Sequence, residues 1–309
     1  MRGSGTTGRP DLARVRRGAL TRFAPAPTGY LHLGHVANAA WTWGAAAAVG
    51  GRVLLRIEDH DRQRCRPAYD TALFEDLAWL GFVPDLGPVR QTDPDAVAAY
   101  EGALAGLRAR GLVYGCDCAR STFGAWARSA GRPWSGPGCP GSCRTRALDD
   151  AAPTLRIALG DGTESWIDAL LGPSDGPVAP AGDLVVRDRH GNWTYGYCVV
   201  VDDLRQGIDL VVRGRDLLHA TPAQIRLGRL LGRDDPPAFL HHPLIRRADG
   251  SKLSKSSGDT GVRELRAAGQ TAAEVIGRAA AAVGLVPGPL PISAPDGARL
   301  PELRPVIQD

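Results

Sequence analysis

Thr21-Arg22-Phe23-Ala24-Pro25-Ala26-Pro27-Thr28-Gly29-Tyr30-Leu31-His32-Leu33-Gly34-His35 is the stretch on which the fold turns. Thr21–Ala24 reads as a short buried strand, ended by Pro25 and Pro27, which cannot donate to a ladder. After Thr28-Gly29 an Ala- and Trp-rich run from His35 to Val49 reads as a helix, Gly50-Gly51 closes it, and Arg52–Ile57 is the next strand. Strand, loop, helix and strand in that order predict an α/β protein with a parallel sheet. Gly34 lets backbone approach a ligand closely, and His35 stands at the opening of a helix whose free N–H groups attract anions. Two imidazoles three residues apart, His32 and His35, can donate to a phosphate whose charge grows during displacement.

Working outward, helical stretches are expected at 68–80 and 94–110. From Leu112 to about Arg146 the texture changes, with four cysteines, Gly, Pro and Ser crowded around two tryptophans. Short apolar segments resume at 154–159 and 183–187, and 112–188 reads as an insertion into the sheet domain. An apolar segment at Val199–Asp202, a strand-like Ile208–Val212, a helix from Leu217 to Leu231 and a strand-like Phe239–Ile245 would complete that domain. The expected division is a flexible leader over 1–20, a catalytic domain over 21–111 and 189–258, the inserted subdomain over 112–188, and a short helical segment and tail over 259–309.

At 309 residues, with 43% hydrophobic and 23% charged residues, the composition is that of an ordinary globular chain. The net charge of +4 permits an RNA partner without demanding one. No apolar run reaches the roughly 20 residues a membrane span needs, and Met1–Leu20 lacks the apolar core of a secretory signal, so a cytoplasmic protein is expected; a monomer is expected as well.

The 37 basic residues comprise 35 arginines and two lysines, and both lysines lie in Lys252-Leu253-Ser254-Lys255-Ser256. So skewed a usage marks a place where arginine will not serve. An ammonium is a compact point charge on a flexible stem, whereas a guanidinium is a wide planar fork. Two ammonium groups three residues apart on a Gly/Ser loop suit a polyphosphate in transit.

Cys116-x-Cys118 and Cys139-x3-Cys143 place four thiols in two close pairs within the insertion. Four thiolates suit tetrahedral zinc in a closed structural site. Disulfides or free thiols remain open from composition alone, because the spacing departs from the commoner Cys-x2-Cys pair. Cys65 and Cys198 read as packing residues.

In the order strand, His-x-Gly-His, helix, then Lys-Leu-Ser-Lys-Ser far downstream, the chain resembles the class I aminoacyl-tRNA synthetases. That resemblance implies a Rossmann-like catalytic domain in which His32, His35, Lys252 and Lys255 assist attack of an amino-acid carboxylate on the α-phosphate of ATP, and in which Gly34 lies against the nucleotide. Arg22-Phe23-Ala24-Pro25 and Arg56-Ile57-Glu58-Asp59 are similar to the glutamyl branch in particular. Two carboxylates want two guanidinium forks and an ammonium wants a carboxylate. Arg22 and Arg213 are the expected forks, Glu58 the ammonium partner, and Tyr195 matches a substrate-contacting tyrosine. Phe23, Ala24, Pro25 and Ala26 complete the implied glutamate pocket. Ala26 stands where the family usually has Ser, and Gly196 where it often has Asn.

The cysteine pairs within a glutamyl-type core resemble the glutamyl-queuosine tRNA(Asp) synthetases, with Cys139 in a place often held by Tyr. The resemblance runs from about Thr21 to Ser256. It implies L-glutamate, ATP with Mg2+ and queuosine-bearing tRNA(Asp) as substrates, one structural Zn2+, and no anticodon-reading domain in the 53 residues after Ser256. Two alternatives stand beside it. One is a truncated glutamyl-tRNA synthetase-like ligase charging a tRNA 3′ end or another small acceptor. The other is a zinc-stabilised RNA-binding module with a relic nucleotide site, against which the intact His and Lys residues argue.

Overall fold

The computed structural model describes residues 10–129, 139, 141–146, 148, 152–179, 182–245 and 261–294. The Lys252–Ser256 stretch, with both lysines, lies outside the described residues. The elements run β1 (Leu20–Phe23), α1 (Leu33–Ala48), β2 (Arg52–Ile57), α2 (Pro67–Leu80), β3 (Leu86–Arg90), α3 (Pro94–Ala109), β4 (Val113–Cys116) and α4 (Arg120–Ser129). They continue with β5 (Thr154–Ile157), β6 (Thr163–Asp168), β7 (Gly172–Pro177), β8 (Leu184–Arg187), α5 (Tyr195–Arg205), β9 (Leu210–Gly214), α6 (Thr221–Leu230), β10 (Ala238–His242), α7 (Val262–Ala267) and α8 (Ala272–Ala282).

Among the described residues the main sheet has the order β3-β2-β1-β9-β10-β6-β7. Every pairing in it is parallel except the β6/β7 hairpin. The chain moves from β1 outward to β2 and β3, then returns to the other side of β1 with β9. This reversal makes the β1/β9 boundary a topological switch point, and ligands of open parallel sheets sit outside the carboxyl ends of the strands there. Arg22 and Phe23 end β1, Arg213 is the penultimate residue of β9, and His242 ends β10.

Helix α1 covers one face of the sheet, and its run of alanines lets α8 lie close on top. Phe23, Ala40, Leu55, Leu77, Leu210, Ile276 and Ala280 are all buried in this core. A second core joins α3, α5 and α6 to the three-stranded antiparallel sheet β4-β5-β8 through Tyr100, Leu104, Ile157, Val186, Tyr197 and Leu227. No helix among the described residues is long and apolar enough to cross a membrane.

Three expectations about organisation change. Residues 10–20 are not a detached leader, since Val15 and Ala19 are buried in the main core and Arg16 pairs with Asp209 at 2.6 Å. The stretch 112–188 is divided between two sheets, because β6 adds to β10 of the main sheet while β4, β5 and β8 form the small one. The helical segment after Gly261 is part of the main core rather than an appendage. Val199–Asp202 lies inside α5, which is buried on every side from Tyr197 to Asp203, so a continuous apolar run suits that helix.

Candidate active site

A cleft of about 400 Å³ opens at the carboxyl ends of β1, β9 and β10. At one end lie Arg22, Glu58, Tyr195 and Arg213, and at the other His32, Gly34, His35 and Asn38. Phe23, Ala24 and Pro25 line it between them. Ala26, expected in the pocket, does not line the cleft; its carbonyl accepts the Thr28 N–H at 2.8 Å in the turn that follows.

The floor beneath the first end is a buried ion network. Arg22 Nε donates to Asp203 Oδ1 at 3.0 Å and its NH1 to the Val212 carbonyl at 3.3 Å. Arg56, fully buried in β2, donates to the same Asp203 oxygen at 2.7 Å, to Gln206 at 2.9 Å and to Glu58 Oε1 at 3.2 Å. Burial opposes ionisation of Asp203, but Arg22 and Arg56 together hold its carboxyl below the usual range. For Glu58 burial outweighs the pull of Arg56 and Arg22, and its carboxyl is pushed up. A ligand ammonium would therefore find a carboxylate whose charge the protein leaves under-stabilised.

Arg213 differs from both arginines across the cleft. Its Nε donates to His241 Nε2 at 3.0 Å, NH1 to Gln224 Oε1 at 2.5 Å and NH2 to Thr221 Oγ1 at 2.8 Å, all neutral acceptors. It makes no ion pair among the described residues, and burial lowers its pKa. A buried guanidinium without a counter-ion carries an unbalanced desolvation cost, which an entering carboxylate would offset. Tyr195, at the start of α5, faces it. A Cβ at Gly196 would lie 2.9 Å from Leu184 Cδ1, so a larger residue there needs Leu184 to move.

At the second end His32 is the N-cap of α1. Its Nδ1 accepts the Gly34 N–H at 3.0 Å, while His35 Nδ1 accepts the His32 N–H at 3.1 Å. With each Nδ1 acting as acceptor, a neutral ring carries its proton on Nε2, the nitrogen able to donate to an anion. A Cβ at Gly34 would lie 2.8 Å from His32 Cε1, which is why the capped pair requires glycine between its members. His242 donates from Nδ1 to the Pro243 carbonyl at 2.8 Å and meets Asn38 at 2.9 Å, and burial pushes its pKa down to about 4. The chain leaves the described residues after Ile245, which lines the cleft, and re-enters at Gly261, which bridges to His32. Both flanks of the lysine stretch thus lie at the histidine end.

The four cysteines meet beyond the small sheet. Their Sγ atoms all lie within 4.8 Å of one another, and none forms a disulfide. Four thiolates about 2.3 Å from a zinc ion sit about 3.8 Å apart, so the cluster fits that ion. Burial opposes ionisation of Cys139, yet the Cys143 and Gly141 N–H groups and the Ser142 hydroxyl hold it down at about 7. Cys198 is buried apart from the cluster and Cys65 is half-buried on the loop before α2.

The residues to which sequence reading gave no role are those behind the cleft: Arg56, Asp203, Asp168 and His241. Arg56 had a signal, since a charged residue in the apolar strand Arg52–Ile57 must find a buried partner.

A family model described as tRNA synthetases class I (E and Q), catalytic domain, matches residues 19–277. The chain is 41% identical over 288 residues to a glutamyl-Q tRNA(Asp) synthetase of Symbiobacterium thermophilum, covering 88% of each chain. It is 40% identical to glutamate–tRNA ligase 2 of Acidithiobacillus ferrooxidans, but spans only 55% of that protein. Among solved structures, a glutamate tRNA ligase from Elizabethkingia meningosepticum in complex with its amino acid superposes with a TM-score of 0.75 at 24% identity, over 94% of this chain and 66% of that one. A parallel sheet with its cleft at the switch point, a capped His-x-Gly-His and these relatives agree: the chain belongs to the class I tRNA synthetases of the E and Q type, alongside their glutamyl-Q tRNA(Asp) synthetase members.

Proposed function

We propose that this ligase activates L-glutamate with ATP to glutamyl-adenylate and esterifies it onto the queuosine base in the anticodon loop of tRNA(Asp). The observation that carries the substrate is Arg213, a buried cation that donates to neutral acceptors and lines the same end of the cleft as Glu58. In this reading Arg22 and Arg213 receive the carboxylates of glutamate and Glu58 its ammonium. ATP, entering with Mg2+, occupies the histidine end.

A glutamate carboxylate oxygen attacks the α-phosphorus, the bond to the β-phosphate oxygen breaks, and pyrophosphate leaves. His32 and His35 donate from Nε2 to the phosphate as its charge develops, and Lys252 and Lys255, outside the described residues, meet the leaving group. A hydroxyl of the queuosine diol then attacks the activated carbonyl carbon, AMP leaves, and the hydroxyl proton goes to solvent. Zinc, held by Cys116, Cys118, Cys139 and Cys143, would act structurally by cross-linking the loops beside the small sheet; a closed four-thiolate site has no open position for chemistry. Support for the queuosine acceptor comes from the relative that is named for it and aligns over 88% of its own length.

Labelled glutamate tests the acceptor. The label should pass to queuosine-containing tRNA(Asp) and appear in the anticodon-loop fragment after nuclease digestion, while an unmodified tRNA(Asp) transcript accepts none. Charging of a 3′ terminal adenosine on the transcript or on tRNA(Glu) would overturn the assignment in favour of a glutamate–tRNA ligase. Lys255→Arg should slow glutamate-dependent pyrophosphate exchange at least about tenfold, because a wide fork replaces a point charge.

A further inference from the structure

The arginine that faces the cleft without a counter-ion is itself oriented by a buried chain of side chains. Asp168, the last residue of β6, is fully enclosed. Its Oδ1 accepts the Leu170 and Leu171 N–H groups at 2.9 and 3.0 Å, and its Oδ2 meets His241 Nδ1 at 2.5 Å. His241, equally enclosed on β10, presents Nε2 to Arg213 Nε at 3.0 Å and to Thr221 Oγ1 at 3.2 Å. Arg213 and His241 are register partners on adjacent strands, so the contact follows from the sheet itself.

The chemistry of the three residues admits one arrangement. A guanidinium has only donors, so Nε2 of His241 must bring a lone pair to it. The ring is then neutral with its proton on Nδ1, and a carboxylate opposite Nδ1 fixes that tautomer. Asp168 cannot turn away, because four backbone or ring donors converge on it.

We propose that His241 and Asp168 are positioning residues for the amino-acid end of the site. Asp168 sets the tautomer of His241, and His241 holds the plane of the Arg213 guanidinium so that its remaining N–H groups face the substrate carboxylate. Asp168 comes from the hairpin that the stretch 112–188 adds to the sheet edge, so that hairpin takes part in amino-acid recognition. The inference rests on the reading that Arg213 receives a glutamate carboxylate.

Pyrophosphate exchange on the full chain, with glutamate and ATP varied in turn, provides the test. His241→Leu removes the lone pair and should raise the KM for glutamate about tenfold, with kcat within about threefold and the KM for ATP unchanged. His241→Gln can place an amide oxygen near the Nε2 position and should recover most of that loss. Asp168→Asn keeps the shape but frees the ring to take the other tautomer, and should raise the glutamate KM about threefold or more.

A merely structural role predicts another pattern, in which both KM values and kcat suffer together and His241→Gln gives no selective rescue; that pattern would overturn the proposal. Arg213→Ala separates the two readings. If it leaves the glutamate KM unchanged, the assignment of the cleft is wrong. If it raises that KM while His241→Leu and Asp168→Asn do not, only the positioning role fails.

Discussion

The floor of the cleft and the cysteine cluster both gather charge in the interior, and they neutralise it in opposite ways. Beneath the cleft, Arg22, Arg56, Glu58 and Asp203 balance one another, and the partners Arg22 and Asp203 are 181 positions apart in the chain. That balance is complete only when the sheet has formed. The cysteines lie between positions 116 and 143, and Arg146, at 3.8 Å from Cys143, brings them no net charge because Asp117 pairs with it at 2.6 Å. Four thiolates there would need an ion from outside. With zinc in the cluster, one region would be held by fold topology and the other by a ligand, and each should fail under a different insult.

Removing the ligand should have the largest effect. Cys143→Ser or Cys116→Ser should abolish the bound metal, expected at about one zinc per chain by elemental analysis. It should also unfold the neighbouring small sheet, since structural zinc commonly supplies about 10 kcal/mol or more of local folding energy. Limited proteolysis should then cut near residues 116–146 while the cleft remains able to catalyse pyrophosphate exchange. A metal-free protein with an intact small sheet would erase the contrast. Next comes Asp203→Asn, which leaves Arg22 and Arg56 without the carboxylate they share and should cost about 3–5 kcal/mol in urea unfolding. Chelator should leave this difference between variant and parent unchanged.

The same contrast governs what could be read from the sequence. The first strand, α1, β2 and α2 were legible because proline, paired glycines and apolar runs are local signals, and β2 was placed to the residue at 52–57. The cysteine pairs were legible for the same reason, their members standing within four residues of each other. Arg22, Glu58, Tyr195 and Arg213 could be gathered only through resemblance to a family, as no local pattern brings positions 22 and 213 together. Asp203 and His241 escaped altogether, because their roles depend on which strands adjoin: β9 beside β1, and β10 beside β9. β6 and β7 were lost inside the supposed insertion, since nothing local tells a strand that it joins the larger of two sheets.

A smaller effect tests the histidine end, where each Nδ1 accepts a backbone N–H. His35→Ala deletes the Nε2 donor and opens one half of the cap of α1. Exchange should fall about tenfold, with ATP binding comparatively intact, if the ring acts chiefly on the charge that develops during displacement. Equal losses in ATP affinity and rate would make it a binding contact instead.

The smallest effect sharpens the comparison with an acid that received no such partner. Asp76 on α2 is buried, and its Oδ2 has no hydrogen-bond donor among the described residues. Burial is the main cause of its pKa rising to about 6, against the attraction of Arg263 and Arg266. Because the folded value lies above the ordinary one near 3.8, the folded protein holds this proton more tightly than the unfolded chain does. Its favourable contribution is therefore fully present below about pH 3.8 and is lost as pH rises through about 6. Asp203, with its pKa lowered, has the reverse dependence, and its contribution vanishes as acid protonates it. Asp76→Asn, which cannot ionise, should thus match the parent near pH 4 and gain on it as pH rises through about 6. Urea unfolding across that range measures the difference. A gain of the same size at every pH would mean that the substitution relieves packing rather than charge.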